Sequence, residues 1–197
     1  MSGPRIAIVL GSTRPGRLGD RVCRFVCGKA ALVPEAAFTV LDLADYRMPF
    51  FDETLAPLAN PDRVPAPAVR RWLRDVRAAD GFYFLTPEYN YTVPAVLKNA
   101  LDFLAREAHG KPAAILSYSS TRHGGTISGN ELRLVLSKVG MLPLPESLPL
   151  AGADRLLAAD GTVAEVSDWA DRVAAFVPKA LSDLARYAAA LKPLRAA

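Results

Sequence analysis

Short apolar segments alternate with helical patterns five times along this chain of 197 residues. The first of these segments is continuously apolar, without the polar–apolar alternation of a half-exposed strand, which predicts a strand buried on both faces. The patterns between the segments repeat apolar residues at helical spacing. The predicted strands cover residues 6–10, 38–41, 81–85, 113–118 and 142–144. This order predicts an α/β fold, a doubly wound parallel sheet of five strands with helices on both faces.

The length fits a single domain that occupies residues 1–197. Residues 49–67 are rich in proline and too long for a plain connection, which predicts a surface excursion around a site or an interface. A final helix is predicted from about residue 166 to residue 191, with a kink at Pro178. Asp42, at the end of the second strand, is interpreted as a cap or turn residue.

The balance of charge excludes some kinds of partner. A net charge of +4 arises from 24 basic and 20 acidic residues that are spread along the chain, so no basic block indicates nucleic acid. No apolar run approaches the length of a membrane span and no signal peptide is evident, so a cytoplasmic protein without membrane contact is expected. Cys23 and Cys27 are interpreted as buried thiols, and no metal site is predicted.

The loop after the first strand has the composition of a phosphate site. Ser12, Thr13, Arg14 and Arg17 supply hydroxyl groups and positive charge, and the glycines of this loop allow close approach of the backbone to a ligand. A helix follows, and its N-terminus adds free amides and the positive end of its dipole. A P-loop is excluded because Arg17 and Leu18 stand where lysine and serine or threonine are required. The Gly-x-Gly-x-x-Gly dinucleotide fingerprint is also absent.

Two further loops follow predicted central strands and so should lie at the same edge of the sheet. The loop after the third strand places Tyr89, Asn90 and Tyr91 before a helix, where a planar heteroaromatic ring would find stacking faces and hydrogen bonds. A proline-punctuated turn with its aromatic residues packed in the core is an equal alternative. The loop after the fourth strand, residues 117–125, would close over the same ring or serve as a flexible connection.

These loops resemble the NADPH-dependent FMN reductase family. The resemblance rests on Gly-Ser-Thr-Arg-Pro-Gly-Arg at residues 11–17 and on Pro-Glu-Tyr-Asn at residues 87–90, which leads into Leu-Lys-Asn-Ala-Leu-Asp at residues 97–102. It implies a flavodoxin-like fold with strand order 2-1-3-4-5, non-covalently bound FMN and a homodimer or homotetramer. FMN at the switch point of this sheet is itself a known property of the fold.

The resemblance also implies roles for individual residues. Ser12, Arg14 and Arg17 would hold the FMN phosphate with backbone amides from Thr13 through Leu18 to Gly19. Pro87, Glu88, Tyr89, Asn90 and Tyr91 would line the ring and ribityl region, and Ser117, Gly124 and Gly125 would border the ring. Lys98 and Asn99 are expected to serve packing or subunit contact. The segment before Gly124 is one residue longer than in relatives, and Ile127 replaces an arginine, so the wall beside the substrate is altered.

The resulting expectation is an FMN-dependent oxidoreductase. Hydride would pass from NADPH or NADH to FMN and on to a flavin, a quinone or another small organic acceptor, with the flavin and no catalytic side chain carrying the chemistry. A flavodoxin-type electron carrier is the alternative, although such carriers tend to be acidic. A fold relative that acts as a non-catalytic binding module is a third possibility. Surplus apolar residues in the segment 49–67 and in the final helix favour a homo-oligomer.

Overall fold

The computed structural model describes residues 3–195, in which strands and helices alternate as predicted. The strands are β1 (Arg5–Leu10), β2 (Ala37–Asp42), β3 (Gly81–Pro87), β4 (Pro112–Tyr118) and β5 (Leu142–Leu150). The helices are α1 (Gly19–Ala30), α2 (Leu43–Tyr46), α3 (Pro67–Ala78), α4 (Ala95–Asp102), α5 (Thr126–Lys138), α6 (Ala153–Leu156) and α7 (Asp168–Leu191). The described strands form one parallel sheet in the order β2-β1-β3-β4-β5, which confirms the predicted fold class.

Helices cover both faces of the sheet. Residues of α1 and α7 pack on one face, and residues of α3, α4 and α5 pack on the other. Every residue of β3 and β4 is buried, as expected for central parallel strands that read as continuous apolar runs. The carboxyl ends of β1, β3 and β4 therefore meet at the centre of one sheet edge, where ligands bind in this class of fold.

The fifth strand and the final helix differ from their predicted bounds. β5 extends to Leu150, well beyond the predicted end at residue 144, although it contains three prolines. Among residues 3–195 it is an edge strand that pairs with β4 alone, and edge strands tolerate proline because one side has no hydrogen-bonding partner. α7 begins at Asp168, because the Ser167 side chain accepts the Ala170 N–H at 3.2 Å and caps the helix there. Pro178 lies inside α7, and a kink there stays a prediction.

The excursion at residues 49–67 is anchored to α4 at its start. The Asn99 side chain accepts the Phe51 N–H at 2.8 Å and donates to the Pro49 carbonyl at 2.8 Å. Asn99 is buried, so both halves of its amide group are satisfied within the protein. Of the packing or subunit contact expected at Lys98 and Asn99, Asn99 makes a packing contact within the chain.

The amino-terminal edge of the sheet holds two buried charged groups. Asp80 accepts the Arg5 N–H at 2.9 Å and pairs with Lys192 and Arg195 at 3.0 Å each, which ties the end of α7 to the sheet. Burial raises the pKa of Asp80, but these hydrogen bonds and cations outweigh it and leave the pKa below its ordinary value. Lys111 donates to the carbonyls of Val76 and Arg77, and burial, helped by nearby Arg195, lowers its pKa to about 8.

Candidate functional site

A cavity of about 390 Å³ lies where the loops after β1, β3 and β4 meet. It is lined by residues 14–18, 87–89 and 118–120, together with Arg21 and Asp154. Six of the predicted site residues therefore share one cavity: Arg14, Arg17, Leu18, Pro87, Glu88 and Tyr89. The other predicted residues lie outside its lining: Ser12, Thr13, Gly19, Asn90, Tyr91, Ser117, Gly124 and Gly125. Tyr118, Ser119 and Ser120 belong to the loop at residues 117–125, for which closure over the ring is one of the two sequence-based interpretations. Arg21 and Asp154 have no counterpart among the sequence-based predictions.

The loop after β1 contains several unpaired backbone donors. Within residues 3–195, the N–H groups of Thr13, Arg14, Gly16, Leu18 and Gly19 donate to no protein acceptor. The N-terminus of α1 also lacks a side-chain cap. Unpaired amides at a helix N-terminus, together with the helix dipole, form a site for an anion. This loop is a cradle that an oxyanion such as a phosphate would complete.

Tyr118 closes the floor of this cradle. Its side chain is 2% exposed and its hydroxyl has no hydrogen-bonding partner among the described residues. Burial raises the pKa of Tyr118 well above its ordinary value, so the hydroxyl is a neutral donor. A Cβ at Gly19 would collide with this hydroxyl, which explains the glycine at the first position of α1. Buried hydroxyl groups are seldom left unpaired. The Tyr83 hydroxyl is also unpaired among the described residues, but only Tyr118 of the two lines the cavity, so its hydroxyl is placed to donate to a ligand there.

The two arginines of the loop have different environments. The Arg17 guanidinium donates to Asp20 at 2.7 Å and to both carboxylate oxygens of Asp42, one of them at 2.8 Å, and it also reaches the Ser12 carbonyl. The hydrogen bonds that Arg17 donates to Asp42 are the main reason that the pKa of Arg17 lies above its ordinary value, against the opposing effect of burial. Arg14 is exposed, makes no ion pair within the described chain, and lies over the Tyr89 ring with its guanidinium carbon 5.4 Å from the centroid.

It follows that Arg17 stabilises the conformation of the loop, whereas Arg14 gives the loop a positive charge that is not paired within the described chain. Asp42 also accepts the Ala44 N–H at 2.9 Å and so caps α2, as predicted from its position. The same carboxylate thus fixes both α2 and the loop after β1. The phosphate contact predicted for Arg17 stays a prediction. Because Asp20 and Asp42 occupy most of the guanidinium, such a contact would use its remaining edge.

Ser12 lies beneath the cavity. It is fully buried, and its hydroxyl is 2.6 Å from the Tyr89 hydroxyl. This hydrogen bond joins the loop after β1 to the loop after β3. Ser12 therefore fixes the relative position of the two loops in the structure described.

The loop after β3 is a tight hairpin turn. Tyr89 and Thr92 exchange two backbone hydrogen bonds of 3.0 Å, and the two residues between them, Asn90 and Tyr91, have φ values of 51° and 65°. A tyrosine in this left-handed region is strained, since the position favours glycine. Tyr91 is 72% exposed, so the alternative in which the aromatic residues pack into the core does not describe it.

Glu88 links this loop to α5. Its carboxylate accepts the N–H groups of Ile127 and Ser128 at 3.0 and 3.1 Å, where α5 begins. A carboxylate at this position satisfies free amides and is stabilised by the helix dipole. Glu88 therefore joins the wall after β3 to the wall after β4.

The loop after β4 is held in place and is not a flexible connection. The Ser119 carbonyl accepts the Ala153 N–H at 3.0 Å, and the Thr121 carbonyl accepts the Gly152 N–H at 3.1 Å. Gly124 has a φ of 58°, and a Cβ there would collide with the backbone of Pro149. Ser117 is buried beneath α5. Ser117 and the two glycines thus shape this wall through packing.

Comparison with known proteins identifies the family. The model of the NADPH-dependent FMN reductase family matches residues 4–155, which include every loop of the cavity. The chain belongs to this family. An NAD(P)H-dependent FMN reductase of Schizosaccharomyces pombe is 34% identical over 142 residues, 72% of this chain and 70% of that protein. A quinone reductase of Pseudomonas putida is 29% identical over 185 residues, 87% of this chain and 94% of that protein.

Solved structures agree with this assignment at the level of the fold. The flavoenzyme NAD(P)H:acceptor oxidoreductase FerB of Paracoccus denitrificans superimposes with a TM-score of 0.75 at 23% identity, covering 95% of this chain and 98% of that chain. Family membership confirms the prediction of an FMN- and NAD(P)H-dependent oxidoreductase. Across residues 3–195, no helix of this FMN reductase relative combines the length and the apolar character of a membrane span.

Proposed function

We propose that this chain binds FMN in the cavity at the carboxyl ends of β1, β3 and β4, and passes hydride from NADPH or NADH through FMN to a small organic acceptor. The observation that carries the proposal is the buried hydroxyl of Tyr118, which lines the cavity and has no partner among the described residues, next to the unpaired amides of the loop after β1. An anion at this place satisfies both sets of donors. FMN is the cofactor of this family, and its phosphate is the anion that we propose for this place.

The phosphate end of the site divides its work among four groups. The unpaired amides of Thr13, Arg14, Gly16, Leu18 and Gly19 donate to the phosphate. Arg14 contributes the positive charge. Tyr118 donates from below. Arg17 holds the loop in shape through Asp42, so its effect on the phosphate is through geometry more than through direct charge.

The ring end of the site is set by the loops after β3 and β4. Pro87, Glu88 and Tyr89 form one wall, with Asn90 and Tyr91 on the turn beyond it. Ser119 and Ser120 form the facing wall, which rests on Ser117, Gly124 and Gly125. Bound FMN supplies the hydride and electron chemistry. The chain's own residues fix the ring between these walls, and the Glu88 contact with α5 keeps the walls together.

The acceptor that we propose is a quinone or a free flavin. Relatives carry the names FMN reductase and quinone reductase, and both substrates are planar and apolar enough to stack on a flavin. Ile127 is 48% exposed at the start of α5, and its N–H donates to Glu88, which lines the cavity. An apolar side chain next to Glu88 favours an uncharged acceptor.

The proposal is tested with a visible absorption spectrum, an FMN titration, and steady-state oxidation of NADPH with added quinone. Arg14→Ala should weaken FMN binding about tenfold or more, because it removes a charge-assisted contact of about 1.5–3 kcal/mol. Arg122→Ala is the matched control, since Arg122 is an exposed arginine of the loop after β4 that lies outside the cavity. Absence of FMN binding would refute the proposal. Binding without turnover would favour the electron carrier or the binding module.

We also propose a cytoplasmic homodimer. Phe50 and Val64 in the excursion are 77% and 87% exposed. Exposed apolar surface of this kind favours contact with a second subunit. The two free cysteines fit a reducing compartment. Light scattering should give twice the chain mass, and Val64→Asp should shift it to the monomer. A monomeric wild-type protein would contradict the dimer, and a fourfold mass would indicate the homotetramer.

A further inference from the structure

The first helix carries a pair of thiols that the flavin site does not use. Cys23 and Cys27 are free, lie one turn apart on α1, and have their sulfur atoms 4.0 Å from each other. Cys23 is 9% exposed, and Cys27 is partly exposed. Neither residue belongs to the lining of the cavity at the carboxyl edge of the sheet.

The separation of the sulfur atoms disfavours a disulfide. A disulfide requires about 2.05 Å between sulfur atoms and about 3.5–4.5 Å between Cβ atoms. Residues four apart on a helix keep their Cβ atoms about 5–6 Å apart. Closing the bond would therefore deform α1, which is packed along its length against β1 and α7.

A single ion bound to both thiolates, in contrast, does not require the sulfur atoms to approach each other as closely as a disulfide does. Two metal–thiolate bonds of about 2.3 Å each reach as far as about 4.6 Å, which exceeds the observed 4.0 Å. No third histidine, cysteine or carboxylate joins these thiols to form a cluster in the part of the chain described. This excludes a structural zinc site, which needs four ligands. It leaves a soft ion that accepts two thiolates.

We propose that Cys23 and Cys27 form a two-thiolate site for a soft monovalent ion, with Cu(I) the biological candidate. Thiolate ligands select Cu(I) over harder ions. Binding replaces the thiol protons, so the ion enters as two S–H bonds are lost, two metal–sulfur bonds form and the protons leave to solvent, with no change of oxidation state. The partly exposed Cys27 provides the entry point, and Cys23 completes the site from the buried side.

The test is an anaerobic titration of the full chain with Cu(I), in competition with a colorimetric Cu(I) chelator. Wild-type protein should take up about one equivalent that the chelator removes only slowly, and Cys27→Ser and Cys23→Ala should each take up none. Cys23→Ala keeps a small apolar residue in the buried position, and circular dichroism checks that both variants are folded. His123→Ala, which removes an exposed histidine elsewhere, should bind like the wild type.

Three outcomes would overturn the proposal. These are no uptake by the wild type, unchanged uptake by both cysteine variants, and rapid closure of an internal disulfide by oxidised glutathione at unchanged helicity. Arg14→Ala separates this site from the proposed flavin site. That variant should bind FMN more weakly and retain Cu(I), so failure of one site is distinguishable from failure of the other.

Discussion

Replacement of Tyr118 by phenylalanine is expected to change protein stability and flavin affinity in opposite directions. In the ligand-free protein the Tyr118 hydroxyl is buried without a partner. Such a group costs about 1–3 kcal/mol, so Tyr118→Phe should raise the free energy of unfolding by an amount of that order. For a domain of this size, each kcal/mol raises Tm by about 2–4 °C.

The effect on FMN has the opposite sign. The hydroxyl would donate to a charged phosphate, and a hydrogen bond of this kind contributes about 1.5–3 kcal/mol. Its loss should raise the Kd of FMN by about 10- to 150-fold. Flavin fluorescence measures this Kd, and thermal unfolding of the flavin-free protein measures the stability.

Tyr83→Phe is the matched control. Tyr83 lies in β3 and is 1% exposed, and its hydroxyl also lacks a partner among residues 3–195, but it is not part of the cavity. This variant should gain stability and keep the wild-type Kd for FMN. The reasoning is refuted if Tyr118→Phe binds FMN as tightly as the wild type, or if the flavin-free variant is less stable than the wild type.

Three further predictions concern the Asp42 carboxylate, a buried cation and the strained turn. Asp42→Asn removes the charge that holds Arg17. It should weaken FMN binding about tenfold and lower the free energy of unfolding by about 1–3 kcal/mol. FMN titration and urea unfolding measure these two effects, and no change in either would contradict the role of Asp42 in holding the loop. The pKa of Lys111 is lowered to about 8, so between pH 8 and 10 the unfolded chain binds more protons and stability should rise with pH by up to about 3 kcal/mol. Urea unfolding at several pH values should show that Lys111→Met lacks this rise, and parallel pH profiles would disprove it. Tyr91→Gly removes the backbone strain of a tyrosine at φ 65°. It should raise the free energy of unfolding of the flavin-free protein by about 1 kcal/mol, and with it the melting temperature. A lower melting temperature would show that the tyrosine is not strained.

The sequence determined the sheet and the place of the site. Continuous apolar runs at β1, β3 and β4 require strands covered on both faces, and helical patterns between them require crossovers, so the order of elements follows from local spacing. The loop at residues 11–19 was recognisable for the same reason, because its glycines, hydroxyl groups and arginines are consecutive. The end of β5 escaped prediction because proline is compatible with a strand only where one edge is free, and the position of a strand within a sheet is not a local property.

Only the tertiary structure decided which polar groups are already paired and which are free. Arg14 and Arg17 look equivalent in the chain, but Asp42 at the end of the neighbouring strand engages one and leaves the other exposed. Glu88 was expected beside the ring, and α5, about forty residues later, uses its carboxylate as a cap. In the sequence Tyr118 is simply the last residue of a predicted strand. Its place in the site depends on Gly19 of α1, because any Cβ at that position would collide with the Tyr118 hydroxyl. Apolar periodicity is set by neighbours within a few residues, whereas hydrogen bonds and ion pairs join whichever groups the packed sheet brings within about 3 Å.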